Sequence, residues 1–184
     1  MKPLQNIIEK PFHSIVLFDR SGSMAAYSDT IYTQFHKMEK TETFYKSYSL
    51  LSFNTATNIE CEEQDRNTFY NKVYNLKFEG GTNIAQAITK ANEYIKNFAK
   101  LHQVSIIIFE VWTDNEHNEG VFIKEDLQKD SIKRDEEIEN NKCIRSIFRA
   151  DVKSVNLEEL KVALNMKDED YSTNEFANLL NQKT

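Results

Sequence analysis

Three oxygen-bearing side chains follow one another at alternate positions in the segment IVLFDRSGSM, residues 15–24. Asp19 ends an apolar run, and Ser21 and Ser23 come two and four residues later, with Gly22 between them. Alternate residues can turn their hydroxyls toward one point, and Gly22 lets the backbone fold tightly around that point. The spacing therefore predicts a compact, oxygen-lined loop suited to binding a cation.

Two further oxygen donors lie far away in the sequence. Thr82 stands in the segment GGTN, just before an apolar-periodic helix, and Asp114 follows the very apolar run VSIIIFEVW of residues 104–112. Ligands of an open parallel sheet bind outside the carboxyl ends of its strands. We therefore expect Asp19 and Asp114 at one rim of a sheet, with Thr82 in a loop beside them. Taken alone, Thr82 is a stronger candidate for the N-cap of the helix that follows it than for a metal ligand, although one residue can fill both roles.

Together these side chains make an all-oxygen set of two carboxylates and three hydroxyls. Hard oxygen ligands select Mg²⁺, Mn²⁺ or Ca²⁺ rather than Zn²⁺. We predict a site for Mg²⁺, with Mn²⁺ or Ca²⁺ as alternatives, built from Asp19, Ser21, Ser23, Thr82 and Asp114. So few charges leave the ion electron-poor, and we expect an acidic group of another molecule to complete its coordination.

The elements that must position these residues alternate between apolar strands and helix-periodic segments. The predicted strands are residues 14–18, 45–55, 58–61, 104–112 and 143–148. The predicted helices are residues 31–38, 67–76, 84–98, 121–140, 157–166 and 173–180. Because the main strands are too apolar for a sheet with one wet face, the order predicts a three-layer α/β fold. Its sheet is mostly parallel, with one short antiparallel edge strand from residues 58–61 and helices on both faces.

The bulk composition excludes several classes of partner. A chain of 184 residues is the usual size of one domain, and a formal charge of −6 gives no electrostatic footprint for nucleic acid. The longest apolar run, residues 104–112, is too short to span a bilayer, and the first residues do not form a secretory signal. The positions of Cys61 and Cys143 fit reduced, buried thiols rather than a disulfide framework. We expect a cytoplasmic protein that contacts no membrane.

The segments DRSGSM, GGTN and VWTDNE together resemble the von Willebrand factor A (VWA) domain and its metal-ion-dependent adhesion site (MIDAS). The family's pattern is D-x-S-x-S, then a Thr, then an Asp. The resemblance runs over about residues 14–180 and implies one Rossmann-like VWA domain for residues 1–184. The resemblance is to small cytoplasmic bacterial or phage members of the family.

The resemblance also implies a role for each site residue. Ser21 and Ser23 would bind the metal directly, as would Thr82 in the manner of some family members, while Asp19 and Asp114 would act largely through bound water. A Glu or Asp of a partner protein would take the open position, as expected of an adapter or assembly factor that is not an enzyme.

Among the departures from the family pattern, two lie beside the predicted site. Asn115 stands where a Gly often follows the Asp, and residues 116–120 add carboxylates and His117 that would tune or occlude the site. Neither departure removes a predicted ligand.

Two other functions compete with this interpretation. A metal-dependent phosphoryl-transfer enzyme also uses hard cations at this edge of a sheet, but the sequence has no G-x-x-x-x-G-K-[ST] loop, and Ser21 replaces the second Asp of aspartyl-nucleophile phosphatases. A degenerate VWA scaffold would bind partners without metal.

Glu110 is an anomaly because it lies inside the most apolar predicted strand, where an unpaired charge is costly. The family's strand order sets this strand beside residues 143–148. We therefore predict a structural ion pair between Glu110 and Arg145 or Arg149.

Overall fold

The protein alternates strands and helices in the predicted order. The structure, a computed structural model, describes residues 10–151 and 156–172. The strands are β1 (Phe12–Asp19), β2 (Tyr45–Phe53), β3 (Thr57–Gln64), β4 (Ile106–Thr113), β5 (Ile144–Asp151) and β6 (Tyr171–Ser172). The helices are α1 (Ser28–Thr41), α2 (Arg66–Tyr74), α3 (Ile84–Leu101), α4 (Lys124–Asn140) and α5 (Leu157–Ala163), and a 3₁₀ helix spans Gly22–Tyr27. The predicted helix 173–180 lies outside the described residues.

The strands form one sheet in the order β3-β2-β1-β4-β5-β6. Neighbouring strands are parallel except for β2 and β3, which are antiparallel. The predicted fold class is thereby confirmed: a mostly parallel sheet with an antiparallel edge strand and helices around it. Since β1 and β4 are adjacent and parallel, their carboxyl ends leave the sheet at the same rim.

Side chains of the central strands alternate between two hydrophobic clusters, one on each face of the sheet. On β4, Phe109 and Val111 pack in the cluster that contains the apolar stripe of α3, whereas Trp112 packs with Phe35 of α1 in the other. Burial on both faces explains why β1 and β4 are continuous apolar runs rather than alternating ones. Their ends are therefore held rigidly by packing.

Asn83, and not Thr82, caps helix α3. The Asn83 side chain accepts a hydrogen bond from the amide N–H of Gln86 at 3.2 Å. An Asn is among the best N-cap residues because its oxygen satisfies an amide that the helix leaves without a partner. The N-cap alternative for Thr82 is therefore wrong, and its hydroxyl has no capping role.

The predicted ion pair between Glu110 and Arg145 is wrong. In the register of β4 and β5, Arg145 stands opposite Ile107, three residues from Glu110, so the two side chains point to opposite faces of the sheet. Arg145 instead contacts Asp170, at 2.8 Å from Nη1, and Asp135, at 3.2 Å from Nε. The described side chains do not include that of Arg149, so its pairing with Glu110 stays a prediction.

Glu110 is buried on the α1 face of the sheet, near a second carboxyl. Its Oε2 accepts a hydrogen bond from the Trp112 indole at 3.0 Å. Burial raises the pKa of Glu110, and burial together with the charge of Glu110 raises the pKa of Glu42, which directly follows α1. At neutral pH a larger fraction of these two carboxyls is therefore protonated than of exposed carboxyls.

These raised pKa values predict a pH-dependent stability. In mildly acidic solution the folded protein holds protons on Glu42 and Glu110 that the unfolded chain has released, so stability is lost as the pH rises through the raised pKa values. We expect the wild type to lose more free energy of unfolding than Glu110→Gln between about pH 5 and about pH 9. Urea unfolding at both pH values measures the difference. Glu136→Gln, an exposed change on α4, is the control, and parallel pH profiles for wild type and Glu110→Gln would contradict the prediction.

Candidate metal centre

Asp19, the last residue of β1, is completely buried and is held from two sides. Its Oδ1 accepts a hydrogen bond from the amide N–H of Ser21 at 2.9 Å. Its Oδ2 accepts one from the hydroxyl of Thr113, at the end of β4, at 2.7 Å. The carboxylate thus joins its own loop to the neighbouring strand.

The hydroxyls of the Asp19 loop continue this chain of contacts toward Asp114. The Oγ atoms of Ser21 and Ser23 lie 3.1 Å apart, and the Ser23 hydroxyl donates to Oδ2 of Asp114 at 2.5 Å. Ser21 is buried, whereas Ser23 is exposed at the surface. The structure therefore brings Asp19, Ser21, Ser23 and Asp114 into one hydrogen-bonded cluster that opens to solvent at Ser23.

Thr82 lies in a loop that touches the Asp19 loop through the backbone. The amide N–H of Gly22 donates to the carbonyl oxygen of Gly80 at 3.0 Å. Thr82 is itself 3% exposed. Gly80 has a positive φ of 80°, a backbone conformation that residues other than glycine rarely adopt. The close approach of the two loops therefore depends on this glycine.

The segment 115–120 holds the Thr82 loop in place. The Asn118 side chain accepts a hydrogen bond from the Thr82 amide at 2.8 Å, and the Thr82 carbonyl accepts from the amides of Asn118 and Glu119, both at 3.1 Å. The Glu119 carboxylate lies directly against Gly81, where an added Cβ would displace it. The predicted extra carboxylates of this segment thus include one, Glu119, that lies directly against the Thr82 loop.

The far side of the same segment contacts α5. His117 Nε2 lies 3.8 Å from the Glu159 carboxylate, and its ring stacks on Phe122 with centroids 4.6 Å apart. Asn115, the departure from the family pattern, has a left-handed φ of 63°. Asn tolerates this conformation better than most residues do, which explains how it takes a position where Gly is usual.

The electrostatics of the cluster centre on Asp19. Burial, and to a smaller extent the charge of Asp114, raise its pKa to about 6, although the hydrogen bonds from Ser21 and Thr113 act in the opposite direction. A cation beside a buried carboxylate favours its ionised form and lowers its pKa. The donor set therefore fits a hard divalent ion chemically. It is entirely oxygen, four of its five members are already joined by hydrogen bonds, and its buried carboxylate is stabilised by positive charge.

The described part of the chain contains no group of three or more His, Cys, Asp and Glu residues arranged to hold a metal ion. The candidate centre differs from such groups because it combines only two carboxylates with hydroxyls. Its chemistry is therefore that of a weakly charged oxygen site.

Sequence reasoning missed two residues that hold the predicted ligands. Thr113 donates to Asp19 and also accepts the amide N–H of Asn115 at 3.1 Å, and Asn118 fixes the Thr82 loop. The position of Thr113 at a strand end, directly before Asp114, was a usable signal. The partner of Asn118 is 36 residues away in the sequence, and no local pattern indicates it.

The chain thus has an Asp-x-Ser-x-Ser loop after β1, a Thr loop before α3 and an Asp after β4, in that order. Residues 4–122 match the model of the family described as VWA domain containing CoxE-like protein. The chain belongs to this VWA family. VWA domains are generally interaction modules rather than enzymes, and the family is known for metal-dependent protein interactions.

Solved structures show the same fold at low sequence identity. The manganese-loaded TRAP protein of Plasmodium vivax has a TM-score of 0.62 and 12% identity over 93% of this chain and 72% of its own. The SpRpn10 VWA domain has a TM-score of 0.55 and 15% identity over 88% and 86%. Proximal thread matrix protein 1 from the mussel byssus has a TM-score of 0.60 and 18% identity, over 92% of this chain but 45% of its own. No curated protein sequence matches the chain.

No helix among residues 10–151 and 156–172 combines the length and apolar character needed to cross a bilayer.

The contact between Thr113 and Asp19 predicts the effect of Thr113→Val. The substitution keeps the shape of the side chain but removes a donor to a buried carboxylate, which costs about 1–3 kcal/mol of unfolding free energy at neutral pH. Urea unfolding measures the loss. Thr89→Val is the matched control, because the Thr89 hydroxyl donates only to the Ala85 carbonyl within α3. Equal stability of wild type and Thr113→Val would show that this bond does not support Asp19.

Proposed function

We propose that this VWA domain is a divalent-metal-dependent protein-interaction module. In the proposal Asp19, Ser21, Ser23, Thr82 and Asp114 hold Mg²⁺, or Mn²⁺ or Ca²⁺ in its place. An Asp or Glu of a partner protein binds the ion at its open coordination position. The observation that supports it best is the hydrogen-bonded cluster from Asp19 through Ser21 and Ser23 to Asp114.

Each residue of the chain has a defined task in this proposal. Asp19 and Asp114 supply negative charge, and the three hydroxyls supply neutral oxygens. When bound, the cation supplies an electrophilic centre for a carboxylate of the partner. Thr113 fixes the orientation of Asp19, and Asn118 fixes the loop of Thr82. The surface position of Ser23 gives a partner access to the cluster.

The wider role that we propose is that of a cytoplasmic adapter or assembly factor formed by a single VWA domain over residues 1–184. The free, buried thiols of Cys61 and Cys143 agree with a reducing compartment. The manganese-loaded state of the TRAP structure gives a reason to test Mn²⁺ beside Mg²⁺.

Metal binding is tested by calorimetry and thermal melting of wild type and Asp19→Asn. At a metal concentration about 100 times the Kd, we expect the wild type to gain about 2.7 kcal/mol of stability by linkage. Asp19→Asn should gain none, yet it should be at least as stable as wild type without metal, because it removes a buried charge whose pKa is raised. Asp126→Asn, an exposed change on α4, is the control.

Three outcomes would contradict the proposal. Metal binding by Asp19→Asn equal to that of wild type would show that the ion is held elsewhere. A folded wild type that gains no stability from any of the three ions would favour the degenerate scaffold. Turnover of a generic phosphate ester that is lost in Asp19→Asn would favour the enzyme.

The carboxylate of the partner is tested with a short synthetic peptide. An acetylated Gly-Glu-Gly amide should bind the metal-loaded protein with a Kd on the order of 1 mM, a value typical of a single weak contact. The Gly-Gln-Gly analogue, and the Glu peptide in the presence of a chelator, should not bind. Nuclear magnetic resonance shifts at Ser23 report the contact, and equal binding of both peptides would contradict a role for the carboxylate.

A further inference from the structure

A groove of about 590 Å³ lies between the edge strand β3 and one flank of α3. Its apolar lining comes from Leu51, Ile59, Tyr94, Phe98 and Leu101. The three helix residues recur at spacings of four and three, so they form one stripe along α3. Ile59 is 54% exposed and Leu101 77% exposed. We call this feature the edge groove; two large apolar side chains stand open to solvent on its walls.

A bulge in β3 turns Ile59 into this groove. Leu51 pairs with Ile59, but the adjacent Leu50 pairs with Cys61, so Glu60 is the extra residue. In a regular strand Ile59 and Cys61 would share a face. Here Cys61 packs in the cluster on the α1 and α2 side, whereas Ile59 lines the groove on the α3 side. The backbone therefore presents an apolar side chain that regular pairing would have directed to the other face.

The backbone of β3 offers a second means of recognition. Within the described residues β3 ends the sheet and pairs with β2 alone. The outward backbone groups of such an edge strand are a template for another extended segment. Recognition by strand addition uses this edge for affinity and neighbouring pockets for alternate side chains of the ligand.

The charges around the groove determine which segment it suits. Its lining includes the carboxylates of Glu62, Glu63 and Glu93 and one lysine, Lys90. The Lys90 amine already lies 3.5 Å from the carbonyl oxygen of Thr57. A second copy of β3 at this edge would set like charges against each other, which is destabilising. A basic segment would be attracted instead.

We propose that the edge groove binds an extended segment of a partner protein that carries both basic and apolar residues on the face it turns to the groove, at every second position. The segment pairs with β3 as an additional strand. Its apolar side chains contact Ile59, Tyr94 and Phe98, and its basic side chains lie near Glu62 and Glu93. This interaction needs no metal, so it goes beyond the function proposed for Asp19 and its neighbours.

The test uses a fluorescein-labelled, amidated heptapeptide Lys-Thr-Val-Thr-Val-Thr-Lys as the probe, because its lysines and valines share one face of an extended strand. Fluorescence anisotropy should give a Kd on the order of 100 µM for the wild type, equal in Mg²⁺ and in chelator. Amide shifts in nuclear magnetic resonance spectra should be confined to β3 and the facing flank of α3. The same peptide with both lysines replaced by glutamate should not bind.

Two pairs of variants with matched charge and exposure separate the groove from general attraction. Glu62→Lys combined with Glu93→Lys should weaken binding at least about tenfold. Glu136→Lys combined with Glu139→Lys, which changes the net charge equally on α4, should weaken it much less. Ile59→Asp should also weaken binding, whereas Ile132→Asp, at an exposed position of α4, should not.

Several results would overturn the proposal. Equal weakening by the two charge-reversal pairs would mean that the peptide is attracted by net charge alone. Amide shifts outside β3 and α3, loss of binding in chelator, or no binding by folded wild type would each exclude the groove as its site. A dimer in sedimentation that Ile59→Asp abolishes would show instead that a second copy occupies the edge.

Discussion

The candidate site depends on one constraint, which is that a carboxylate is buried where two parallel strands end side by side. A carboxylate removed from water is costly unless donors surround it. The fold meets this cost for Asp19 with the Ser21 amide and the Thr113 hydroxyl, at 2.9 and 2.7 Å. The compensation is incomplete, since the pKa of Asp19 is still raised to about 6. A group held in this way favours a nearby positive charge, and that preference is the physical basis of the proposed metal site.

The rest of the structure brings further oxygen donors to this carboxylate, some of them from distant parts of the sequence. The order of β1 beside β4 supplies Asp114, and the tight loop after β1 supplies Ser21 and Ser23. The Thr82 loop is held between the Asp19 loop, through Gly22, and the segment that contains Asn118. Because each loop is fixed by hydrogen bonds to another, the donors are assembled in advance. A preassembled site loses little entropy on binding a ligand.

The sequence predicted those features that follow from local pattern and strand polarity. The buried strands, the parallel sheet and the antiparallel edge follow from apolar runs and from alternation, and the position of Asp19 and Asp114 at one rim follows from parallel strand order. The face to which a residue points depends on exact register, and the error over Glu110 and Arg145 arose there. The support given by Asn118 depends on a contact between loops, which no periodicity encodes. The sequence offered Thr82 as a cap of α3, whereas the cap is Asn83, one residue later. The Thr82 hydroxyl therefore has no capping role.

The most direct test of the metal site is a crystal structure of the protein grown with Mn²⁺, with anomalous scattering used to locate the ion. The proposal predicts one strong peak within bonding distance of the Ser21 and Ser23 hydroxyls, on the side facing Thr82 and Asp114. A peak at another acidic surface, or no peak in a crystal whose Asp19 loop is well ordered, would contradict it.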